Sequence, residues 1–219
     1  MYLYQDRQDA GSELAQMIIS ADIKDPLMFA IPRGGVPVAS VISHELGIPF
    51  DVLVTREVGY PGMGRVSIGA MAEDERPVIT NDINFADPRI LQVINEEKTE
   101  LRRRIAFYRQ GQDLPEFTDR NVILVDDGLT DGISAIAAAK FLKEKGARSV
   151  FLAVPVAPNQ DPDIIKRYID EVICPHRVEK VSSVGKWFQD FGEVTDLQVL
   201  ELLGRTPEPQ KPLTSSWMI

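Results

Sequence analysis

The chain of 219 residues holds a single cysteine, Cys174, and two histidines. No internal disulfide can form, and no Cys/His cluster suggests a zinc site. A basic surplus is also missing: 24 Lys and Arg against 33 Asp and Glu leave a formal charge of −9. Such a balance argues against a surface built to coat nucleic acid. Long hydrophobic runs are absent. The longest apolar stretch, Val150–Pro158, is broken by proline and far short of the roughly 20 residues a membrane helix needs. The opening residues, MYLYQDRQDAGSELAQ, turn polar too soon for a secretory leader. No internal repeat is visible. What is there is a hydrophobic content of 44%, enough for a sizeable core, and a length that suits one large domain or one domain with a small appendage. A cytoplasmic protein with neither nucleic acid nor membrane as partner is the economical expectation.

The most informative stretch is Asn121–Ser134, NVILVDDGLTDGIS. Four apolar residues, Val122–Val125, are short enough for a fully buried strand and run straight into Asp126 and Asp127. A Gly/Thr/Asp turn follows, and helical spacing starts after Gly132. Acidic groups are thereby placed at the carboxyl end of a strand, facing a helix N-terminus. Ligands of open α/β sheets bind at that edge, and a helix N-terminus offers free N–H groups to an anion.

Elsewhere the chain alternates. Asp6–Ala21 predicts an amphipathic helix, and Leu27–Ile31 a compact strand ending in Pro32-Arg33-Gly34-Gly35. The next helix has Pro37 in its first turn and Gly47 just past its end; His44, near that end, reads as a surface residue favoured by the helix dipole. Asp51–Thr55 predicts the second strand. Arg56–Asp74, with glycines at 59, 62, 64 and 69, follows no period and predicts a mobile loop or a loose hairpin, equally a loose connection or a lid; its glycine spacing is not a dinucleotide fingerprint. Pro77–Thr80 is a short strand. Asp87 and Pro88 open a long helix to about Tyr108, on which Glu100→Arg104 is a favourable i,i+4 pair, so Arg102-Arg103-Arg104 reads as structural. Ala135, Ala138, Ala139 and Leu142 form a narrow helical face, and Ser149–Pro155 is another buried strand. Asp161–Ile169, Val184–Phe191 and Asp196–Leu203 predict short helices, with Glu171–Cys174 a strand between them. The fold class this alternation predicts is α/β, a mostly parallel twisted sheet with helices on both faces. The expected division is a domain over residues 1–203, with a small hood from parts of 1–25 and 171–203, and a tail over 204–219, whose Trp217 and Met218 suggest docking on another subunit.

Two anion sites can be assembled from strand ends. The glycine turn Arg33-Gly34-Gly35 supplies N–H groups and a guanidinium. Asp126 and Asp127 supply acceptors for hydroxyls or a hydrated metal, and Gly128–Ser134 leads into a helix N-terminus. Two anion loops with a carboxylate pair between them suit a doubly phosphorylated polyol.

Val122–Ser134 resembles the thirteen-residue phosphoribosyl-pyrophosphate (PRPP) motif of type I phosphoribosyltransferases. IPRGGVPVA (31–39), DVLVTREVGYPG (51–62), SIGAMAED (67–74), VDDGL (125–129), AVPVAP (153–158) and VGKWFQDF (184–191) are similar to one bacterial branch of that superfamily. The resemblance implies a transferase of nucleotide metabolism that moves ribose-5-phosphate from PRPP to a nitrogenous base, or binds a nucleoside monophosphate. It implies that Asp126 and Asp127 meet the ribose hydroxyls, and that Gly128, Thr130, Asp131, Gly132, Ile133 and Ser134 form the 5′-phosphate loop. It further implies that Arg33, Gly34, Gly35 and Arg56 serve pyrophosphate, the Arg33–Gly34 peptide often being cis in the family. Residues 56–74 become the lid, Mg²⁺ arrives on substrate oxygens with Asp126 and Asp127 nearby, and a homodimer is compatible.

Two departures stand out. The family's phosphate-loop threonine is replaced by Asp131, and the Arg-Lys that usually opens the lid is Arg56-Glu57. A carboxylate about 4 Å from a phosphate repels it by roughly 4 kcal/mol at an effective dielectric near 20. Asp131 could instead cap the helix from within, with Thr130 supplying the lost hydroxyl. Both changes raise the alternative of a catalytically weakened relative with a regulatory or scaffold role. Trp187 and Phe188 could stack on a base or form the core of the hood.

Overall fold

The computed structural model describes residues 2–63, 66–79 and 87–206. In chain order its elements are α1 (Arg7–Ser20), β1 (Pro26–Ala30), α2 (Gly35–Leu46), β2 (Phe50–Val52), β3 (Arg56–Gly59), β4 (Ser67–Met71), β5 (Val78–Ile79) and α3 (Pro88–Arg109). There follow β6 (Asn121–Val125), α4 (Ile133–Glu144), β7 (Ser149–Ala153), β8 (Val156–Pro158), β9 (Glu171–Ile173), β10 (His176–Val178) and α5 (Asp196–Leu202). Helix ends carry the expected chemistry. Asp6 accepts from the N–H groups of Gln8 and Asp9, Asp87 precedes Pro88, Gly47 closes α2 in the left-handed region, and Thr195 with Gln198 forms a capping box on α5.

Five strands form a parallel sheet in the order β2-β1-β6-β7-β9. Among these five the order is 2-1-3-4-5, so the winding direction reverses between β1 and β6, where a crevice opens at the strands' carboxyl ends. Strand β6 is apolar throughout because both its faces are covered. Ile123 and Val125 join the layer of Leu14, Ile18 and Ile42 from α1 and α2, while Val122 and Leu124 join the layer of Ile136 and Leu142 from α4. The α/β class with helices on both faces is therefore the observed one.

Four local differences separate the fold from the sequence reading. Of the loop or loose hairpin expected over 56–74, the structure shows a hairpin more regular than expected: β3 and β4 pair antiparallel and the expected strand at Pro77–Thr80 extends the ribbon as β5, with Val58, Ile68, Ala70 and Met71 buried. The alternation was hidden because α3 and α4 pack on this ribbon from both sides, and because Gly69 leaves room for the Val78 carbonyl, which a Cβ would meet at 2.4 Å. Asp161–Ile169 closes only a single 3₁₀ turn at Ile165–Arg167; short isolated helices are marginal, and here only Ile165 and Ile169 are fully buried, with Ile164 and Tyr168 packed partly against the core. Val184–Phe191 likewise holds one 3₁₀ turn, Val184–Trp187, after which the chain runs extended. There non-local pairing wins: Leu3 donates to the Trp187 carbonyl at 2.9 Å, and Gln189 and Asp190 donate to Tyr4 and Gln5 at 2.9 and 2.8 Å. Finally, β8 and β10 form a small parallel pair that the sequence reading did not separate from its neighbours. The expectations placed on Trp217 and Met218 lie outside the described residues.

Candidate functional site

Strands β1 and β6 are adjacent and in register, Ala30 opposite Val125, so the turn after one and the carboxylates after the other meet at the switch point. The cis peptide of this turn is Pro32–Arg33, one bond before the Arg33–Gly34 peptide that the resemblance implied. Glycine is required at both following positions. A Cβ on Gly34 would lie 2.1 Å from Asp127 Oδ2, and one on Gly35 would lie 2.3 Å from the Val125 carbonyl oxygen. The Pro-Arg-Gly-Gly turn thus lies directly against the end of β6.

The two carboxylates face different ways. Asp126 Oδ1 accepts from the Asp127 N–H at 2.8 Å, and its side chain lines two cavities. Asp127 lies under the Gly34 turn, its Oδ2 held by Arg7 Nε at 2.9 Å. Burial raises the Asp126 carboxyl well above the usual range, and the neighbouring Asp127 charge adds to this. Burial raises Asp127 as well, opposed by the Arg7 guanidinium.

One cavity, of about 60 Å³, sits at the start of α4 and is lined by Asp126, Gly128 and Thr130–Ala135, with Glu57 reaching in from β3. Gly132 takes a positive φ of 75°, and its α-carbon side is filled by Ile165, so the loop turns tightly into the helix. Asp131 Oδ1 accepts from the Ile133 N–H at 3.2 Å, so the carboxylate engages the helix end from within while remaining exposed. Ser134 Oγ donates to Glu57 Oε1 at 3.4 Å. Burial, then the Asp131 charge, raises the Glu57 carboxyl. The second cavity, of about 420 Å³, shares Glu57, Asp126 and Ser134 and adds Pro32, Thr55, Arg56 and Arg104.

The structure therefore gathers Asp126, Gly128, Thr130, Asp131, Gly132, Ile133, Ser134 and Arg56 around two contiguous cavities, with Gly34 and Gly35 at their edge. Arg33 is placed differently: its guanidinium reaches Glu193 at 2.8 Å and Asp196 at 3.9 Å. Arg56 holds Glu97 at 2.6 Å. Within the arginine run, Arg102 pairs with Glu75 while Arg103 and Arg104 pair with Glu100 at 2.7 and 2.8 Å, as a structural reading requires. Arg104 also lines the larger cavity, which helix periodicity alone could not show. Phe188 is buried and stacks on Tyr4 with ring centroids 5.3 Å apart, so it belongs to a local aromatic core rather than to an open face.

Arg7 is the residue that sequence reasoning missed. Besides Asp127, it donates to the Gly192 carbonyl at 2.8 Å and lies 3.7 Å from the Phe191 ring centroid. A signal was there: a cation as the first residue of a helix opposes the helix dipole, so a specific partner is called for.

An α/β sheet with this switch point, a glycine turn against a carboxylate pair and a loop opening a helix matches the phosphoribosyl transferase domain over residues 3–192, and the chain belongs to that family. It is 35% identical over 212 residues to a Mycobacterium tuberculosis protein, known in strains CDC 1551 and H37Rv, that carries the provisional name phosphoribosyl transferase. The match covers 94% of this chain and 47% of that protein, so the chain spans about half the length of the curated relatives it matches. The crystal structure of TT1426 from Thermus thermophilus is similar with a TM-score of 0.74 and 33% identity, over 93% of this chain and 98% of that one. Among the described residues, no helix is long and apolar enough to cross a membrane.

Proposed function

We propose that the cleft between β1 and β6 binds PRPP or a nucleoside monophosphate and transfers ribose-5-phosphate to a nitrogenous base, releasing pyrophosphate. One observation carries this reading: the glycine turn, a half-buried cavity-lining carboxylate and a helix-opening loop converge at the sheet's switch point. In this reading the carboxylate end of β6, through the cavity-lining Asp126, accepts from the ribose hydroxyls, and N–H groups of Gly128–Ser134 take the 5′-phosphate. The turn at Arg33–Gly35, with Arg56 and Arg104 beside the larger cavity, receives pyrophosphate. The bond from the anomeric carbon to pyrophosphate breaks and a bond to the base nitrogen forms, with the base losing a proton. Positive charge along that path favours departure of the anion.

Mg²⁺ suits the donors present. Asp126 is a half-buried carboxylate whose ionisation is opposed, and no group of three His, Cys, Asp or Glu side chains forms a metal cage among the described residues. Such a site fits a cation that brings most of its ligands on the substrate. When bound it would neutralise pyrophosphate charge. The reading carries with it a cytoplasmic setting in nucleotide metabolism and is compatible with a homodimer.

Glu57 and Asp131 beside the smaller cavity favour a second reading, a relative weakened toward phosphorylated ligands. Exposure of Asp131 limits that effect: near the dielectric of water its repulsion at 4 Å is about 1 kcal/mol rather than roughly 4. Calorimetry with PRPP and Mg²⁺ on the wild type and Asp131→Thr distinguishes the two. Binding by the wild type, tightened about fivefold by Asp131→Thr, is the expected result. Absence of binding in both proteins, together with no nucleotide formed from any purine or pyrimidine base, overturns the transferase assignment. Binding and turnover seen only in Asp131→Thr would favour the weakened relative.

A further inference from the structure

The two carboxylates at the end of β6 differ in their surroundings more than in their chemistry. Asp126 lines both cavities; Asp127 lines neither. Asp127 instead fits into the space left by the missing Gly34 side chain and forms its ion pair with Arg7, the two side chains being 14% and 12% exposed. Arg7 is itself fixed on three sides, by Asp127, the Gly192 carbonyl and the Phe191 ring. Phe191 packs on Phe188, which stacks on Tyr4, just ahead of α1. We infer that Arg7 is a positioning residue that divides the pair, holding Asp127 as an ion-paired latch to the N-terminal segment and leaving Asp126 as the carboxylate that meets the sugar. The sugar-phosphate assignment above supplies the ligand in this inference; the geometry of the latch stands apart from it.

The other charged groups around the cleft leave this division intact. Glu57 and Arg56 come from β3, Arg104 from α3 and Asp131 from the α4 loop, and all of these line the cavities that Asp126 faces. Arg33 is engaged by Glu193 and Asp196. Among the described residues only Arg7 forms an ion pair with Asp127. A guanidinium there favours the ionised form of Asp127, so its removal shifts the Asp127 titration upward.

The test uses the full chain with Arg7→Gln, Arg7→Lys, Asp127→Asn and the Arg7→Gln/Asp127→Asn double variant. Carbon-13 NMR of the aspartate carboxyls, recorded without ligand, follows each titration. Arg7→Gln is expected to move the Asp127 midpoint up and Arg7→Lys to keep it close to the wild-type value. Calorimetry with PRPP and Mg²⁺ at neutral pH is expected to show about a tenfold weaker affinity for Arg7→Gln, because a released Asp127 no longer fixes its neighbour Asp126 and the Gly34 turn, the usual size for groups that support a ligand-binding side chain from behind. The double variant should lose no more than the single ones, because the two residues act as one unit. An Asp127 midpoint unmoved by Arg7→Gln, or additive losses in the double variant, overturns the inference. Failure of both the wild type and Asp131→Thr to bind PRPP would count against the transferase assignment instead, and the ligand-free titrations then decide the role of Arg7 alone.

Discussion

Asp126 carries an electrostatic cost at the site, and the direction of its shift determines what its replacement does. Its folded-state carboxyl is raised by burial and by Asp127, so the folded chain holds a proton there more tightly than the unfolded chain. Stability is therefore lost as pH rises from the ordinary carboxylate range, near about 4, through the raised folded value. Glu57, also raised by burial, acts in the same direction. Asp126→Asn removes the penalty. Differential scanning calorimetry at pH 7 should show a melting temperature higher by roughly 2–4 °C, the equivalent of about 1 kcal/mol at this chain length. The gain should vanish near pH 4, and PRPP binding should be lost. An unchanged or lower melting temperature at pH 7 would show that the carboxylate is already compensated in the folded chain. At this scale the sequence was informative where residues are neighbours: Asp126, Asp127 and the Gly128–Ser134 loop stand in one run. Arg7 was invisible because 120 positions separate it from Asp127, and only its awkward place at a helix start hinted at a partner.

Elements meet at this site through glycine. Gly35 begins α2 where a Cβ would run into the Val125 carbonyl, a backbone atom that cannot rotate away. Gly35→Ala must push the start of α2 away from the end of β6, at a cost of about 1–3 kcal/mol. Gly47 closes the same helix with φ of 67° and nothing within 4 Å of a built Cβ, so Gly47→Ala costs about 1–2 kcal/mol through backbone strain alone. Urea titrations should register both losses, whereas PRPP calorimetry should register only the first. Equal effects on binding would mean that the turn does not shape the cleft. Elements with strong periodicity and caps, such as α1, α2, α3 and β6, could be read from sequence almost to their ends. Of the ribbon, β5 was expected at Pro77–Thr80, but the β3–β4 pairing could be read no further than a loop or a loose hairpin, because a ribbon covered on both sides shows no alternation. Nor could the extended run after Trp187 be read, where pairing with Tyr4 and Gln5 outweighs a weak local helical pattern.

Across the whole molecule, the sheet edge, the ribbon and the C-terminal segment are joined by a buried ionic network. Arg109, 5% exposed, donates to Asp51 at 3.3 Å, to Glu73 at 2.6 Å and to the Val52 carbonyl at 2.9 Å. Arg205 reaches the same Asp51 at 3.0 Å and the Tyr108 carbonyl at 2.8 Å. Residues 51, 73, 109 and 205 are far apart in sequence, and no local pattern marks them as partners. Burial raises the Glu73 carboxyl against the pull of Arg109. Arg109→Met leaves two buried carboxylates with too little positive charge, a change that typically costs about 3–5 kcal/mol. At this chain length the melting temperature at pH 7 should fall by roughly 10 °C. Without the guanidinium the Glu73 carboxyl rises further, and stability is lost as pH climbs through that raised value. The deficit relative to wild type should therefore shrink as pH is lowered from 7 toward 5. Adding Glu73→Gln should recover part of the loss at pH 7, since the amide keeps the acceptor for the Val54 N–H at 2.9 Å without the charge. A deficit independent of pH, with no recovery in the double variant, would assign the role of Arg109 to packing rather than charge.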